Sequence, residues 1–178
     1  MKTKYIIAGG FTGLLAVIFL SRCSRTIPPN VNAVKNFDKD KYLGKWYEIA
    51  RFDYVFEKNM DHTTAEYSMN DDGTMKVVNQ GYNYKKGKNK KVTGKAKFVG
   101  ADTEAKLKVS FFGPFYAGYN VIAIDKDYQN ALVAGKSFKY LWLLSREKQM
   151  PEKTKKEYLA FADSLGFNTS GLIWVKQD

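Results

Sequence analysis

The feature that most constrains this chain is a series of short segments, between residues 46 and 146, in which apolar and polar residues alternate. A period of two residues is typical of a β-strand that buries one face. Turn-forming sequences such as Asn70-Asp71-Asp72-Gly73 and Gly113-Pro114 separate the segments. Eight segments are present, over residues 46–53, 63–69, 74–84, 91–99, 105–112, 118–124, 131–135 and 140–146.

This even spacing predicts an all-β fold, an eight-stranded antiparallel up-and-down β-barrel whose closure leaves no unpaired strand edge. A two-sheet sandwich is the structural alternative. After the strands, Pro151 suits the first turn of an α-helix and Gly166 suits its end. The apolar residues between them, Tyr158, Phe161, Ala162 and Leu165, share one helical face. Residues 172–175 are predicted to form a short final strand.

The N-terminal residues 1–22 are predicted to be a signal peptide and not part of the fold. Lys2 and Lys4 precede an apolar run from Ile6 to Leu20, which is short for a transmembrane helix. Leu20-Ser21-Arg22-Cys23 resembles the lipobox of bacterial lipoproteins, with Arg22 where a small residue is usual. An uncleaved signal anchor is the alternative.

Cys23 is the chain's only cysteine, so no internal disulfide can form, and it is the predicted site of lipidation. Residues 23–36, with Pro28-Pro29, are predicted to be a lipidated tether. The folded domain is expected over residues 37–178.

The net charge of +11, from 29 basic and 18 acidic residues, favours anionic partners such as phospholipid head groups or nucleic acid. The basic residues are spread through the strand-like segments, and no nucleic-acid-binding motif is present. Nucleic acid is therefore not expected as a partner.

Three sequences in order resemble those of the lipocalin family. Gly44-Lys45-Trp46-Tyr47 resembles its signature, and residues 42–51 resemble the bacterial outer-membrane lipoprotein branch in particular. Residues 119–128 and Leu144-Ser145-Arg146 are similar to its second and third conserved regions. The resemblance covers residues 37–176 and implies a calyx with a C-terminal helix. It also implies that Arg146 stacks on Trp46 beside Gly44 at the closed end, a cation–π contact that would seal the barrel.

The residues expected to face the barrel interior follow from strand parity, which a β-bulge would reverse. With Trp46 inward and charged side chains outward, parity selects Glu48, Ala50, Phe52, Ala65, Tyr67, Val109 and Phe111. The family register implies Val77, Asn79, Tyr119, Val121, Ala123, Tyr140 and Trp142 as further ligand-binding residues. Small residues at mid-strand favour a cavity with room for one ligand over a barrel filled by side chains.

The loops expected at the barrel mouth combine apolar residues with lysines. They contain residues 54–56, 85–91, 112–116 and 135–136. This combination suits an amphipath with a buried tail and an anionic head, although a solvated hairpin tip would also explain the lysine run. The expected partners are a fatty acid or lysophospholipid and, through the N-terminal anchor, a membrane.

The sequence thus predicts a lipid-binding carrier of the bacterial envelope, at the outer membrane, with a role in storage, transport or membrane maintenance. No cofactor, metal site or enzymatic activity is expected, because His62 is the only histidine and no nucleophile motif occurs. Two alternatives are an enzyme that uses Glu48 on a hydrophobic substrate and an interaction module with a filled barrel. The sequence leaves open whether the protein is a monomer or a dimer.

Overall fold

The computed structural model describes residues 25–178. Cys23 and the predicted signal peptide lie outside the described residues. The strands are β1 Gly44–Phe52, β2 Met60–Met69, β3 Met75–Asn83, β4 Lys88–Phe98, β5 Lys106–Phe112, β6 Phe115–Ile124, β7 Asn130–Ala134, β8 Leu141–Ser145 and β9 Leu172–Trp174. The α-helices are α1 Lys39–Tyr42 and α2 Glu152–Ser164, and a 3₁₀ turn covers Thr169–Gly171.

Strands β1 to β8 form a closed antiparallel barrel. Each strand pairs with its neighbours along the chain, and β1 pairs with both β2 and β8. After Tyr47, where the pairing with β2 ends, β9 pairs with β1 instead, through residues 50–52. The predicted barrel, C-terminal helix and final strand are confirmed.

The barrel wall has two apolar cores, one on each side. The inner core closes one end of the barrel with Phe37, Tyr42, Trp46 and Val121 among its members. The outer core lies between α2 and the wall, where Tyr158 and Ala162 pack over β1, β7 and β8. Every residue of β7 is buried because both of its faces are covered. The predicted apolar face of α2 is only partly correct, since Phe161 is exposed.

Two β-bulges change the faces that were predicted for β1 and β6. The register of β1 against β8 shifts between Glu48 and Ala50, and that of β6 against β7 shifts between Val121 and Ala123. Each bulge places two residues opposite one, so parity reverses beyond it. Ala50, Phe52 and Ala123 therefore pack with the outer core, and the prediction that they line the interior is wrong. Val121 faces inward as predicted but is fully buried in the closed-end core.

Most of the described part of the predicted tether is packed against the barrel. Ile27, Val31 and Ala33 are buried in the outer core, where they cover apolar wall residues of β6 and β7. The Val34 amide donates to the Val121 carbonyl at 2.9 Å, and the Asn120 side chain donates to the Thr26 carbonyl at 2.7 Å. This corrects the expectation of a free linker, because the apolar residues of the segment bury surface on the wall.

Candidate binding cavity

The barrel encloses a cavity of about 610 Å³ that opens at the end opposite Trp46. The strands β1 to β6 and β8 contribute side chains to it, together with the loops at the mouth. Predicted residues that line the cavity are Glu48, Ala65, Tyr67, Val77, Asn79, Val109, Phe111, Tyr119, Tyr140 and Trp142. Ala50, Phe52, Val121 and Ala123 do not line it.

Space in the cavity comes from some of the small residues and not from others. Ala65 and Ala96 lie on its wall. At Gly94, by contrast, a β-carbon would lie 2.6 Å from the ring of Phe111, so this glycine is occupied by a neighbour. Gly94 therefore allows Phe111 to lie against β4, which shapes the wall without enlarging the cavity.

Three tyrosine hydroxyls meet at the base of the cavity. The Tyr119 hydroxyl lies 2.6 Å from that of Tyr42 and 2.6 Å from that of Tyr67. Burial raises the pKa of all three phenols above their ordinary value, so they are neutral. They satisfy each other's hydrogen bonds and leave a largely apolar floor. Asn79 differs, since its Oδ1 is buried without a hydrogen-bond partner among residues 25–178 and lies on the cavity wall.

Below this floor, Arg146 seals the closed end. Its guanidinium lies 3.9 Å from the centroid of the Trp46 ring, which is the stacking that the family resemblance implied. It also donates to the carbonyls of Lys41, Leu43 and Lys45, each at 2.8 Å. Gly44 has a φ of +92°, a left-handed conformation that favours glycine, and this brings the chain close beneath Arg146.

A buried charge cluster lies on the wall near the mouth. The guanidinium of Arg51 donates to Glu48 Oε1 at 2.6 Å and to the carbonyls of Glu57 and Met60 at 2.7 and 3.1 Å. Trp142 Nε1 donates to Glu57 Oε2 at 3.1 Å. Burial and the Glu57 carboxylate raise the pKa of Glu48 to about 8, against the opposing effect of Arg51. Two carboxyl groups thus share one guanidinium beside the cavity.

The mouth combines exposed apolar side chains with lysines, in the loops where the sequence predicted them. Val55, Phe56, Phe112 and Phe115 are exposed and border the opening. Lys90 and Lys136 also line it, and Lys90 Nζ donates to the Phe56 carbonyl at 2.9 Å. The opening is therefore apolar with positive charges beside it.

Residues 25–178 contain no group of three or more His, Cys, Asp or Glu side chains placed to hold a metal ion. His62, the single histidine, is exposed at the start of β2. Within the same described range, no helix has the length and apolar character needed to cross a membrane.

The family description "Lipocalin-like domain" matches residues 37–177, nearly all of the barrel and helix described above. The chain belongs to the lipocalin family. It is 52% identical, over 91% of its length and 92% of that protein, to "Outer membrane lipoprotein Blc" of Escherichia coli K12. The protein of the same name from Vibrio cholerae is 42% identical over 92% of this chain and 99% of its own length.

Among solved structures, insecticyanin from the tobacco hornworm Manduca sexta superposes on this lipocalin with a TM-score of 0.67. The match has 22% identity and covers 84% of this chain and 85% of insecticyanin, so it shows the shared fold. The bacterial relatives place this lipocalin in the cell envelope, at the outer membrane, as its sequence predicted. It is a lipid-binding lipocalin of that compartment.

Sequence reasoning missed several residues that build the cavity of this lipocalin. Arg51 was left out because unbroken parity on β1 points it to solvent, whereas the bulge turns it into the barrel beside Trp142. Glu57 and Met60 follow in the next loop and strand and complete its environment. Two features of the sequence indicated this: Arg51 stands between apolar neighbours, and a buried arginine requires an acid within reach.

Proposed function

We propose that this lipocalin carries a single-chain lipid, a fatty acid or a lysophospholipid, within the bacterial envelope. The observation that carries the proposal is the open cavity of about 610 Å³, which falls within the roughly 300–1,000 Å³ typical of ligand pockets. A barrel filled by its own side chains would leave no such space. The cavity therefore argues against the alternative of a packed interaction module.

The acyl chain is proposed to point toward the tyrosine floor. Val77, Leu107 and Val109 line the cavity walls, and the tyrosine hydroxyls of the floor are bonded to each other. Each methylene that enters such surroundings contributes about 0.8 kcal/mol. The buried Oδ1 of Asn79 is the polar group that remains available to a ligand hydroxyl or to water.

The polar head is proposed to remain at the mouth, beside Lys90 and Lys136. An ammonium group has three donors, and Lys90 uses one of them on the Phe56 carbonyl. The remaining donors suit the carboxylate of a fatty acid or the phosphate of a lysophospholipid equally. The two ligands therefore differ in what lies beyond the anionic group.

Titration followed by native mass spectrometry tests the carrier proposal. We expect saturable binding of one oleate or one lysophospholipid per chain. Ala65→Trp should weaken binding at least tenfold, because the indole would occupy the cavity. Ser68→Trp is the matched control, since Ser68 is exposed on the same strand. Equal binding by the two variants, or no binding to the unmodified protein, would contradict the proposal.

Lipidation of Cys23 is part of the proposed function, because it would hold the carrier at its membrane. The relatives in E. coli and V. cholerae are named lipoproteins, and the lipobox-like sequence ends at this cysteine. The intact mass of the mature protein should correspond to residues 23–178 plus acyl chains. A free thiol at Cys23 or a retained Met1 would exclude the anchor.

The enzyme alternative depends on Glu48, and the structure gives this residue another role. Glu48 is held by Arg51 at 2.6 Å and shares it with Glu57. If Glu48 were catalytic, Glu48→Gln would abolish turnover of a hydrophobic ester while leaving lipid binding intact. We expect no turnover in either protein.

A further inference from the structure

We propose that the mouth of the barrel docks on the anionic phospholipid surface of the membrane that anchors the chain. Three independent features of the molecule converge on this one end: the point where the anchored segment leaves the fold, the exposed apolar residues and the distribution of charge. The first of the three rests on the proposed lipidation of Cys23. The other two do not.

The N-terminal segment runs along the wall from the closed end to the mouth. At the closed end the Val34 carbonyl accepts from the Ala105 amide. Ten residues could therefore separate the anchor from the closed end only if the segment turned back, and it does not. The Thr26 carbonyl lies so near Gly118 that a β-carbon there would be 1.9 Å from it, and Gly118 and Lys136 line the cavity mouth.

The anchor must therefore emerge at the mouth end. Cys23 precedes Thr26 by three residues, and three extended residues span about 10 Å. A lipid attached there would hold the mouth close to the bilayer, with the closed end pointing away. A tether free over its whole length would have imposed no such orientation.

The mouth carries an aromatic rim, which we define as Val55, Phe56, Phe112 and Phe115. These residues expose 77%, 55%, 62% and 80% of their surfaces, and the Phe56 and Phe112 rings lie 6.1 Å apart. Val55 and Phe56 belong to the β1–β2 loop, while Phe112 and Phe115 flank the β5–β6 turn. Exposed apolar groups collected at one end are typical of a surface that enters another apolar medium, and aromatic rings favour the membrane interface.

Charge is divided between the two ends of the barrel. The connections at the mouth, residues 53–59, 84–87 and 135–140, contain Lys58, Lys85, Lys86, Lys136 and Lys139, with Asp53 and Glu57 as the acids. Of these acids, Glu57 faces Trp142 and Arg51 inside the wall. The connections at the closed end contain Asp71, Asp72, Asp102, Glu104, Asp125 and Asp127, with Lys126 as the single base.

This division orients the molecule in the field of an anionic membrane. Lysines near the surface are attracted to acidic lipids, and the acidic end is repelled. The commitment is therefore to anionic phospholipid and not to a protein partner. Docking would bring the cavity opening into contact with the lipid head groups, so that a ligand could pass between bilayer and barrel without crossing water.

Site-directed labelling of the full, lipidated chain in vesicles tests the proposal. The vesicles contain phosphatidylethanolamine and phosphatidylglycerol. A nitroxide is attached to Phe115→Cys at the rim or, as the matched control, to Asp71→Cys, which is exposed at the closed end. We expect the label at position 115 to collide several-fold less often with a water-soluble relaxation reagent than the label at 71, and more often with lipid-soluble oxygen. Equal accessibility of the two labels would overturn the proposal.

Further arms separate docking from its rivals. Vesicles without phosphatidylglycerol should restore much of the aqueous access at position 115, and unchanged protection would contradict the charge argument. Protection at 115 in buffer without vesicles would show that a second copy covers the rim, which overturns membrane docking. Chains that float with vesicles while both labels stay exposed would also overturn docking but retain the anchor. Oleate titration of the same samples reports on the carrier proposal separately.

Discussion

At the scale of single residues, the cavity depends on a charge cluster that would be unfavourable if any member were alone. Arg51 is 1% exposed, and Glu48 and Glu57 surround it. Removing two carboxylates from water costs more than one guanidinium returns, so the folded protein holds a proton that the unfolded chain releases. The cluster is consequently sensitive to pH.

We expect the free energy of unfolding to fall as pH rises from about 4.5 to about 8. The pKa of Glu48 is raised by burial and by Glu57 from 4.5 to about 8, so the folded state binds more protons than the unfolded state within this window. The loss should be on the order of 2 kcal/mol, since each pKa unit corresponds to about 1.4 kcal/mol. Urea unfolding at pH 5 and pH 8 measures it. Glu57→Gln, which removes one carboxylate, should flatten the dependence, and an unchanged slope would contradict this account.

At the scale of elements, the bulged strand β1 serves both cores. Before the bulge, Trp46 and Glu48 face the interior, and after it Ala50 lies fully buried beneath α2 while Arg51 faces the cavity. One inserted residue thus allows a single strand to seal the base, carry the charge cluster and support the helix. The bulge in β6 has the same effect, because it sends Ala123 to the outer core.

Matched substitutions on the two faces should separate stability from binding. Ala50→Leu adds volume where α2 meets the wall, so we expect a loss of about 1–3 kcal/mol in unfolding free energy with unchanged lipid affinity. Ala65→Leu adds the same volume inside the cavity and should weaken lipid binding with little change in stability. Chemical unfolding and lipid titration of both variants provide the measurements. Loss of affinity in Ala50→Leu alone would mean that β1 is not bulged as described.

At the scale of the whole molecule, the interior is divided between a packed end and an open end. The closed end is built from Phe37, Tyr42, Trp46 and Arg146, whereas the half toward the mouth encloses about 610 Å³. Stability therefore comes from the closed end and from the outer core beneath α2. Lipid that fills the open half should add stability without a change of fold.

We expect a bound lipid to raise the free energy of unfolding by about 2.7 kcal/mol when its free concentration is one hundred times the dissociation constant. The reason is that the folded barrel binds the lipid and the unfolded chain does not. Thermal or urea unfolding with increasing oleate, kept below its micelle concentration, measures the gain. Ala65→Trp, whose cavity is obstructed, should gain much less. An equal gain in both proteins would indicate that oleate acts on the surface and not in the cavity.

The sequence by itself determined the strand order, the C-terminal helix, the family and the end of the barrel that opens. These follow from local patterns: alternation along each strand, turn residues between strands, and the Trp46 and Arg146 positions. Only the tertiary structure decided where parity reverses, because a bulge depends on how a strand pairs with its neighbours. It therefore also decided that Ala50 and Ala123 leave the cavity and that Arg51 enters it.

The course of residues 26–36 likewise depends on tertiary contacts. Pro28-Pro29 and the asparagines predict an extended chain, but local sequence does not show that Ile27 and Val31 have an apolar wall to cover. That wall is assembled from β6, β7 and α2, which lie far along the chain, so the segment acquires its place only when the barrel has closed. The same contact sets the end of the barrel at which the anchor emerges, and with it the side of the molecule that meets the membrane.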